Sequence, residues 1–266
     1  MPSPSLLMRA LKARFRDQTL ELCALRQALK NQGKGAGAGG VALDIGANKG
    51  SYLYWLSRWS RGASVVAFEP QTVLAAYLQK EFPRGAFSHL RVESLALSDR
   101  CGQAALFVPG ESHSHSPGAS LEMNVSVQTP CHQKQVDILT LDSYIECYPL
   151  SGPVRAIKID VEGHEAAVLT GAQKTLEKDR PWIVMECEQR HLGAGQSVKQ
   201  IVETLGQLGY LATFVRCHPD KKPLERPMAE FEPLIHQKAN GPRFWDAKDY
   251  CNNFIFRPVA TSTEAR

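Results

Sequence analysis

Hydrophobic positions follow two rhythms along the chain. Between residues 5 and 30, Leu7, Leu11, Phe15, Leu22, Leu25 and Leu29 recur at steps of three or four. One seven-residue gap, holding Gln18, interrupts them. That period predicts one amphipathic helix over 5–30. From residue 41 the pattern changes. Short apolar runs at Val41–Ile45, 64–68, 90–97, 156–161, 182–187, 210–215 and 253–256 predict strands. Helical stretches at Ser51–Trp59, 72–82, 164–178 and 198–208 fall between most of them. Strand and helix in alternation mean βαβ units around a mainly parallel sheet.

Two segments break the alternation. Residues 33–40 hold five glycines in eight positions, a flexible linker that sets a domain boundary. The expected organisation is therefore a basic helix and linker over 1–40, a main domain over 41–258 and a tail over 259–266. Residues 103–108 and 136–141 have strand character but no helix between them. They predict an inserted hairpin around the Ser/His/Gly/Pro stretch 109–118, a loop of the kind that carries function. Residues 218–227, rich in Pro and Lys, read as a loop.

Composition narrows the function classes. With 43% hydrophobic and 22% charged residues, the 266-residue chain is neither a disordered tail nor a repetitive rod. No apolar run approaches the ~20 residues of a membrane span. Arg9 and Lys12 interrupt the start, so no secretory leader is expected. Seven scattered cysteines without a C-x-x-C pair fit a reducing cytoplasm. The net charge of +4 is too small to argue for nucleic acid. Its distribution is uneven, since residues 1–40 carry seven basic against two acidic side chains. Lys12, Arg14 and Arg16 give that arm the character of a peripheral membrane contact. Its apolar stripe would instead dock on the main domain or on a second subunit in a homodimer.

Candidate chemistry centres on Asp44-Ile45-Gly46-Ala47-Asn48-Lys49-Gly50, where the first strand turns into the first helix. Ligands of open α/β sheets bind at such strand ends. Gly46 permits a sharp turn and a close backbone approach. Asn48 occupies the position where a pyrophosphate-binding turn needs its second glycine. Its side chain argues against a pyrophosphate and for a phosphate-free nucleoside, S-adenosylmethionine. Asp44 then faces the ligand's cationic amino-acid half. Glu69 lies 23 residues after Gly46 at the end of the second strand, placed to accept from ribose hydroxyls.

These residues, with Leu95-Ala96-Leu97-Ser98-Asp99, Leu139-Thr140-Leu141-Asp142 and Ile157-Lys158-Ile159-Asp160-Val161-Glu162-Gly163-His164-Glu165, resemble the FkbM family of S-adenosylmethionine-dependent methyltransferases. The resemblance spans about residues 41–190. It implies a Rossmann-like class I methyltransferase fold, a mostly parallel seven-stranded sheet with an antiparallel last strand. It implies methyl transfer to a hydroxyl oxygen of a sugar, glycolipid or natural-product acceptor. Carried over, Asp44, Gly46 and Gly50 contact the methionine half and Glu69 the ribose. Leu97 and Ser98 lie against the adenine, and Asp160 sits beside the methyl.

Two acid pairs extend the site. Asp160 with Glu162, and Glu186 with Glu188, stand two residues apart on strands that the fold makes neighbours. Either a general base (Asp160 or His191) takes the acceptor's hydroxyl proton, or the four carboxylates hold Mg²⁺. His113, His115, Cys131 and His132 form a weaker soft-metal pattern. Trp55 and Trp59 read as core. Trp245, Tyr250 and Phe254 read as core or as the wall of an acceptor pocket. An NAD-linked oxidoreductase and a non-catalytic S-adenosylmethionine-binding module are the alternative functions on this sheet.

Overall fold

The computed structural model describes residues 2–30, 40–60, 63–110, 115–116, 118–123, 131–193, 195–218, 221–232 and 250–259. Residues 33–39 of the glycine stretch, His113, Trp245 and the tail from 260 lie outside the described residues. The chain opens with α1 (Pro4–Lys12), a π-helical turn (Ala13–Asp17) and α2 (Thr19–Lys30). Then come β1 (Val41–Ile45), α3 (Ser51–Trp59), β2 (Val65–Phe68), α4 (Thr72–Glu81), β3 (Leu90–Glu93), β4 (Ala96–Leu97), β5 (Gly102–Pro109) and β6 (Cys131–Leu139). The second half runs α5 (Leu141–Cys147), β7 (Val154–Ile159), α6 (Glu165–Thr170), α7 (Gln173–Asp179), β8 (Trp182–Glu186), α8 (Val198–Gln207), β9 (Tyr210–His218), β10 (Lys221–Pro227) and β11 (Asn253–Pro258).

The main sheet has the order β10-β9-β11-β8-β7-β1-β2-β3. β3, β2, β1, β7 and β8 are mutually parallel, and β11 runs antiparallel between β8 and β9. This is the class I methyltransferase arrangement with one strand added, so among the described residues eight strands replace the expected seven. The extra strand is β10, in the segment read as a loop. It pairs antiparallel with β9 at the sheet's edge. Edge strands tolerate Pro and Lys, which is why its composition concealed it.

Alternation along the strands divides the core. In β1, Val41, Leu43 and Ile45 join one apolar cluster with α5, α7 and α8 residues, while Ala42 joins the other. That second cluster takes in Leu6, Ala10, Leu25 and Leu29 of the N-terminal arm, with Leu53 and Leu78 of α3 and α4. The arm thus packs on the sheet as part of the same core, α1 against α3 and α2 across β7 and β8.

The single helix expected over 5–30 is broken. The π-helical turn ends at Gln18, whose φ of −125° and ψ of 43° leave the helical region. The break rotates the buried stripe. Leu22, Leu25 and Leu29 are buried as the pattern predicts, but on α1 and the start of the π-helical turn the inward positions are Leu6, Ala10 and Ala13. Leu7 is 37% exposed and Phe15 70%. Small Ala10 and Ala13 let α1 approach α3 closely, and Trp55 Nε1 donates to the Ala10 carbonyl at 2.8 Å. Trp55 stacks on Trp59 with ring centroids 5.4 Å apart, the packing role expected of both.

Three further elements differ from the pattern. The strand expected over 90–97 bends at Ser94-Leu95, and β4 leaves for a second sheet of order β4-β6-β5. That sheet contains the expected insertion. Its β5 and β6 pair antiparallel in register from Gly102↔Ile138 to Pro109↔Cys131. Residues 140–141 start α5 instead of ending a strand, because the Thr140 hydroxyl caps the Ser143 N–H at 3.0 Å. The helix expected over 164–178 divides at Gly171-Ala172, and Asp142 accepts from the Lys174 and Thr175 amides at 2.9 and 3.0 Å to start α7.

Candidate active site

Three strand ends meet where β1 turns. The Gly46 and Ala47 amides donate to the Phe68 carbonyl at 3.0 and 3.1 Å, and the Asp160 amide donates to the Ile45 carbonyl at 3.1 Å. Gly46 holds φ at +74°, and a Cβ there would stand 1.8 Å from the Asp160 carbonyl oxygen. Only glycine permits this crossing. Above it opens a cleft of about 560 Å³ including its mouth and the open solvent there.

Gly46, Asn48, Glu69, Leu97, Asp160 and Glu162 line the cleft, as do His164 and Ser120. The remaining expected residues stand outside the lining. Gly50 begins α3 with φ of +78° beside Leu78. Ser98 is buried, its hydroxyl 2.9 Å from His164 Nε2. Asp44 is buried beneath the floor with Lys158 beside it.

Lys158 is the organiser that the sequence reading passed over. Its Nζ donates to the Gly46 carbonyl at 2.6 Å. It lies 3.5 Å from Asp44 Oδ1 and 3.4 Å from Asp160 Oδ2. Burial works against its charge, but Asp160, Asp44 and Glu186 outweigh that and raise its pKa. Burial pushes the Asp44 carboxyl up, and Lys158 pulls it back. One ammonium thus ties the Gly46 turn to both aspartates. The signal was a buried lysine set between Ile157 and Ile159 in a parallel strand.

Glu69 is held on both oxygens. Oε2 accepts from the Asn48 amide at 2.7 Å and Oε1 from the Gln71 amide at 2.9 Å. Burial raises its pKa, and those amide bonds oppose the rise. Each oxygen keeps acceptor capacity for a further donor.

At the other end, Glu162 lines the cleft in the left-handed region with φ of +53°. That conformation is costly for a glutamate and marks functional sites. Behind it, His191 Nδ1 lies 2.9 Å from Glu162 Oε2. His191, a sequence candidate for the base, is itself buried and absent from the cleft wall. Burial raises the Glu162 pKa, with the His191 hydrogen bond opposing.

The insertion covers the cleft. Ser120, bridged to Phe107 of β5, donates from its hydroxyl to the Glu162 carbonyl at 2.6 Å. Gln71 bonds the Ser116 carbonyl and amide at 2.9 and 3.0 Å. His164 Nδ1 lies 2.7 Å from Glu122. Nothing in the composition of 109–118 assigned these partners.

The four carboxylates proposed for Mg²⁺ each have protein partners, some of them shared: Asn252 reaches both Glu186 and Glu188, and His191 both Glu162 and Glu188. Asp160 is taken by Lys158 and Glu162 by His191. Glu188 pairs with Arg190, while Glu186 accepts from Asn252 at 2.7 Å. Among the described residues no three His, Cys, Asp or Glu side chains form a cation site. The structure therefore does not show a metal group at Asp160, Glu162, Glu186 and Glu188, and of the soft-metal pattern His113 lies outside the described residues. Phe254 is core, against Phe231, and buried Tyr250 lies beside Glu188. Among the described residues no helix is long and apolar enough to cross a membrane.

Known proteins match this chain as follows. The family model described as "Methyltransferase FkbM domain" matches residues 44–212. The 2-O-methyltransferase NoeI of Sinorhizobium fredii is 27% identical over 189 residues, 66% of this chain and 75% of that protein. Methyltransferase 1 of Beauveria bassiana is 24% identical over 182 residues, 62% of this chain and 70% of that one. A crystal structure of Methyltransferase FkbM from Methylobacillus flagellatus is 15% identical with a TM-score of 0.48, covering 82% of this chain and 43% of that one.

Proposed function

The chain belongs to the FkbM methyltransferase family, and from that premise we propose that its cleft binds S-adenosylmethionine and transfers the methyl to a hydroxyl oxygen of a sugar-bearing acceptor. One observation carries the cofactor reading. The Gly46 turn leaves no room for a Cβ and brings bare backbone to the cleft floor beside Glu69 and Asp160. The residues fit a nucleoside: Glu69 accepts from ribose hydroxyls, and Ala96 and Leu97 offer an apolar wall to the adenine. When bound, S-adenosylmethionine supplies a methyl carbon activated by sulfonium. Oxygen as the acceptor atom draws support from the relationship to a 2-O-methyltransferase.

The chain's own residues then do three things. Lys158 fixes the Gly46 turn and holds Asp160 toward the cleft. The segment around Ser120 keeps water from the reacting centre. Glu162 takes the proton from the acceptor hydroxyl. Its burial makes it a stronger base than a free glutamate. His191 orients Glu162 from behind through their hydrogen bond. No step of this scheme is routed through a divalent metal.

The test is methyl transfer from labelled S-adenosylmethionine to a panel of mono- and oligosaccharides. Glu162→Gln is expected to lower turnover by about 10²–10⁴-fold, the usual worth of a general base, with cofactor binding intact. The wild-type rate rises as pH climbs through the raised Glu162 pKa. A Glu162→Gln enzyme with full turnover would show that the base lies elsewhere. EDTA is expected to leave the rate unchanged.

A further inference from the structure

Beside the cleft lies a second pocket of about 550 Å³ including its mouth. Its wall combines Arg9 of α1, Lys49 of the turn after β1, Val73, Leu74 and Tyr77 of α4, and His115 of the insertion. Among the described residues no carboxylate lines it. Arg9 donates to the Tyr77 hydroxyl at 2.6 Å, and its Nε is buried with no hydrogen-bond partner. Neither Arg9 nor Lys49 makes an ion pair among the described residues. Glu81, one turn beyond Tyr77, lies outside the lining; it accepts from the Ser3 amide at 2.6 Å and also interacts with Tyr77 and Arg9, which compensates Arg9 in part and leaves Lys49 uncompensated by it.

An anion in this cavity would be drawn by Arg9 and Lys49 together. An arginine with a phenol as its hydrogen-bond partner keeps most of its five donors for a ligand. Val73 and Leu74 add an apolar wall suited to a carbon skeleton. The pocket also shares its segments with the cleft. Lys49 follows Asn48, Val73 stands two residues from Gln71, and His115 precedes Ser116, which Gln71 binds.

We infer that this pocket binds an anionic group, a carboxylate or a phosphate monoester, on the sugar whose hydroxyl enters the cleft. The inference rests on the methyltransferase reading and narrows its acceptors to acidic ones.

The experiment is calorimetric titration of the full chain, saturated with S-adenosylhomocysteine, using glucose 6-phosphate, glucuronate and neutral glucose. At least one anion is expected to saturate with a Kd near or below about 1 mM, and glucose is not. The two anions distinguish phosphate from carboxylate. Arg9→Gln and Lys49→Gln each weaken the anion by about tenfold or more, while S-adenosylhomocysteine affinity stays within about twofold. Thermal melting checks that Arg9→Gln keeps α1 docked; Lys49→Gln tests the pocket without touching α1. Three results overturn the inference: neither anion saturates, binding survives both substitutions, or cofactor affinity falls in step with anion affinity. In the last case the pocket serves the cofactor's own carboxylate. Wild-type protein that fails to bind S-adenosylhomocysteine sinks the enzyme reading instead, and the anion titration then decides the pocket alone.

Discussion

Gly46→Ala is expected to cost at least about 3 kcal/mol of stability and to abolish cofactor binding. Two effects combine at that position. The backbone sits at φ +74°, where an L-residue with a Cβ is strained, and the new methyl would lie 1.8 Å from the Asp160 carbonyl oxygen. That oxygen is backbone at the end of β7 and cannot swing aside. Either β1 and β7 part, breaking the Asp160 N–H to Ile45 bond, or the turn refolds. Both routes also dislodge the Lys158 contacts, since Nζ donates to the Gly46 carbonyl itself. Gly50→Ala is the control. It has nearly the same φ, +78°, but its Cβ would meet Leu78 Cδ2 at 2.7 Å, the movable end of a side chain. It should cost about 1–2 kcal/mol and leave binding measurable. Chemical denaturation with S-adenosylhomocysteine titration separates the two. Equal losses in both variants would mean that the Gly46 crossing is not specially tight.

Glu21→Gln is expected to stabilise the protein by about 3 kcal/mol at pH 8, and by little at pH 4. Glu21 sits on α2 against the sheet, 0% exposed, and neither carboxylate oxygen has a hydrogen-bond partner among the described residues. Burial raises its pKa from the ordinary 4.5 to about 7. The sign follows from linkage. Between pH 4.5 and 7 the native state holds a proton that the unfolded state has released, so stability falls as pH rises through that window. Above pH 7 the folded chain carries the full cost of a buried charge. Glutamine has no charge to bury, so the variant loses this share of the slope. Glu165, also buried with a pKa raised to about 7, contributes a slope of the same sign and remains in the variant. Melting temperatures of both proteins from pH 4 to 8 check this. Parallel curves would show that Glu21 is ionised or solvated in the folded state.

Much of the architecture was written in periodicity. The βαβ rhythm located β1, α3, β2, β7, β8, α8 and β11 to within a few residues, because strands buried on both faces read as plain apolar runs. What failed was local. The stripe on α1 was misassigned because a π-helical turn changes the phase of the buried face, and nothing in Leu7 or Phe15 announces it. β10 was hidden because an edge strand needs no apolar alternation. The site divided in the same way. Gly46, Asn48, Glu69, Leu97 and Asp160 were legible as strand-end residues and do meet in one cleft. His191 was found by residue type but stands behind Glu162. The four acids were legible as carboxylates, but sequence does not show their partners. Lys158, Arg190 and Asn252 were the missing half. The lid contacts of Ser116, Ser120 and Glu122 depend on tertiary placement alone.

The measurement that bears most directly on the central claim is calorimetric titration of the purified chain with S-adenosylmethionine, with NAD⁺ as control, alongside Glu69→Ala. Saturable S-adenosylmethionine binding without NAD⁺ binding is expected. Glu69→Ala should weaken it by about tenfold, or about 1.4 kcal/mol, since the ribose then loses its acceptor. Folded protein that binds no S-adenosylmethionine, or a Glu69→Ala variant that binds it as tightly as wild type, would contradict the placement of the cofactor in this cleft.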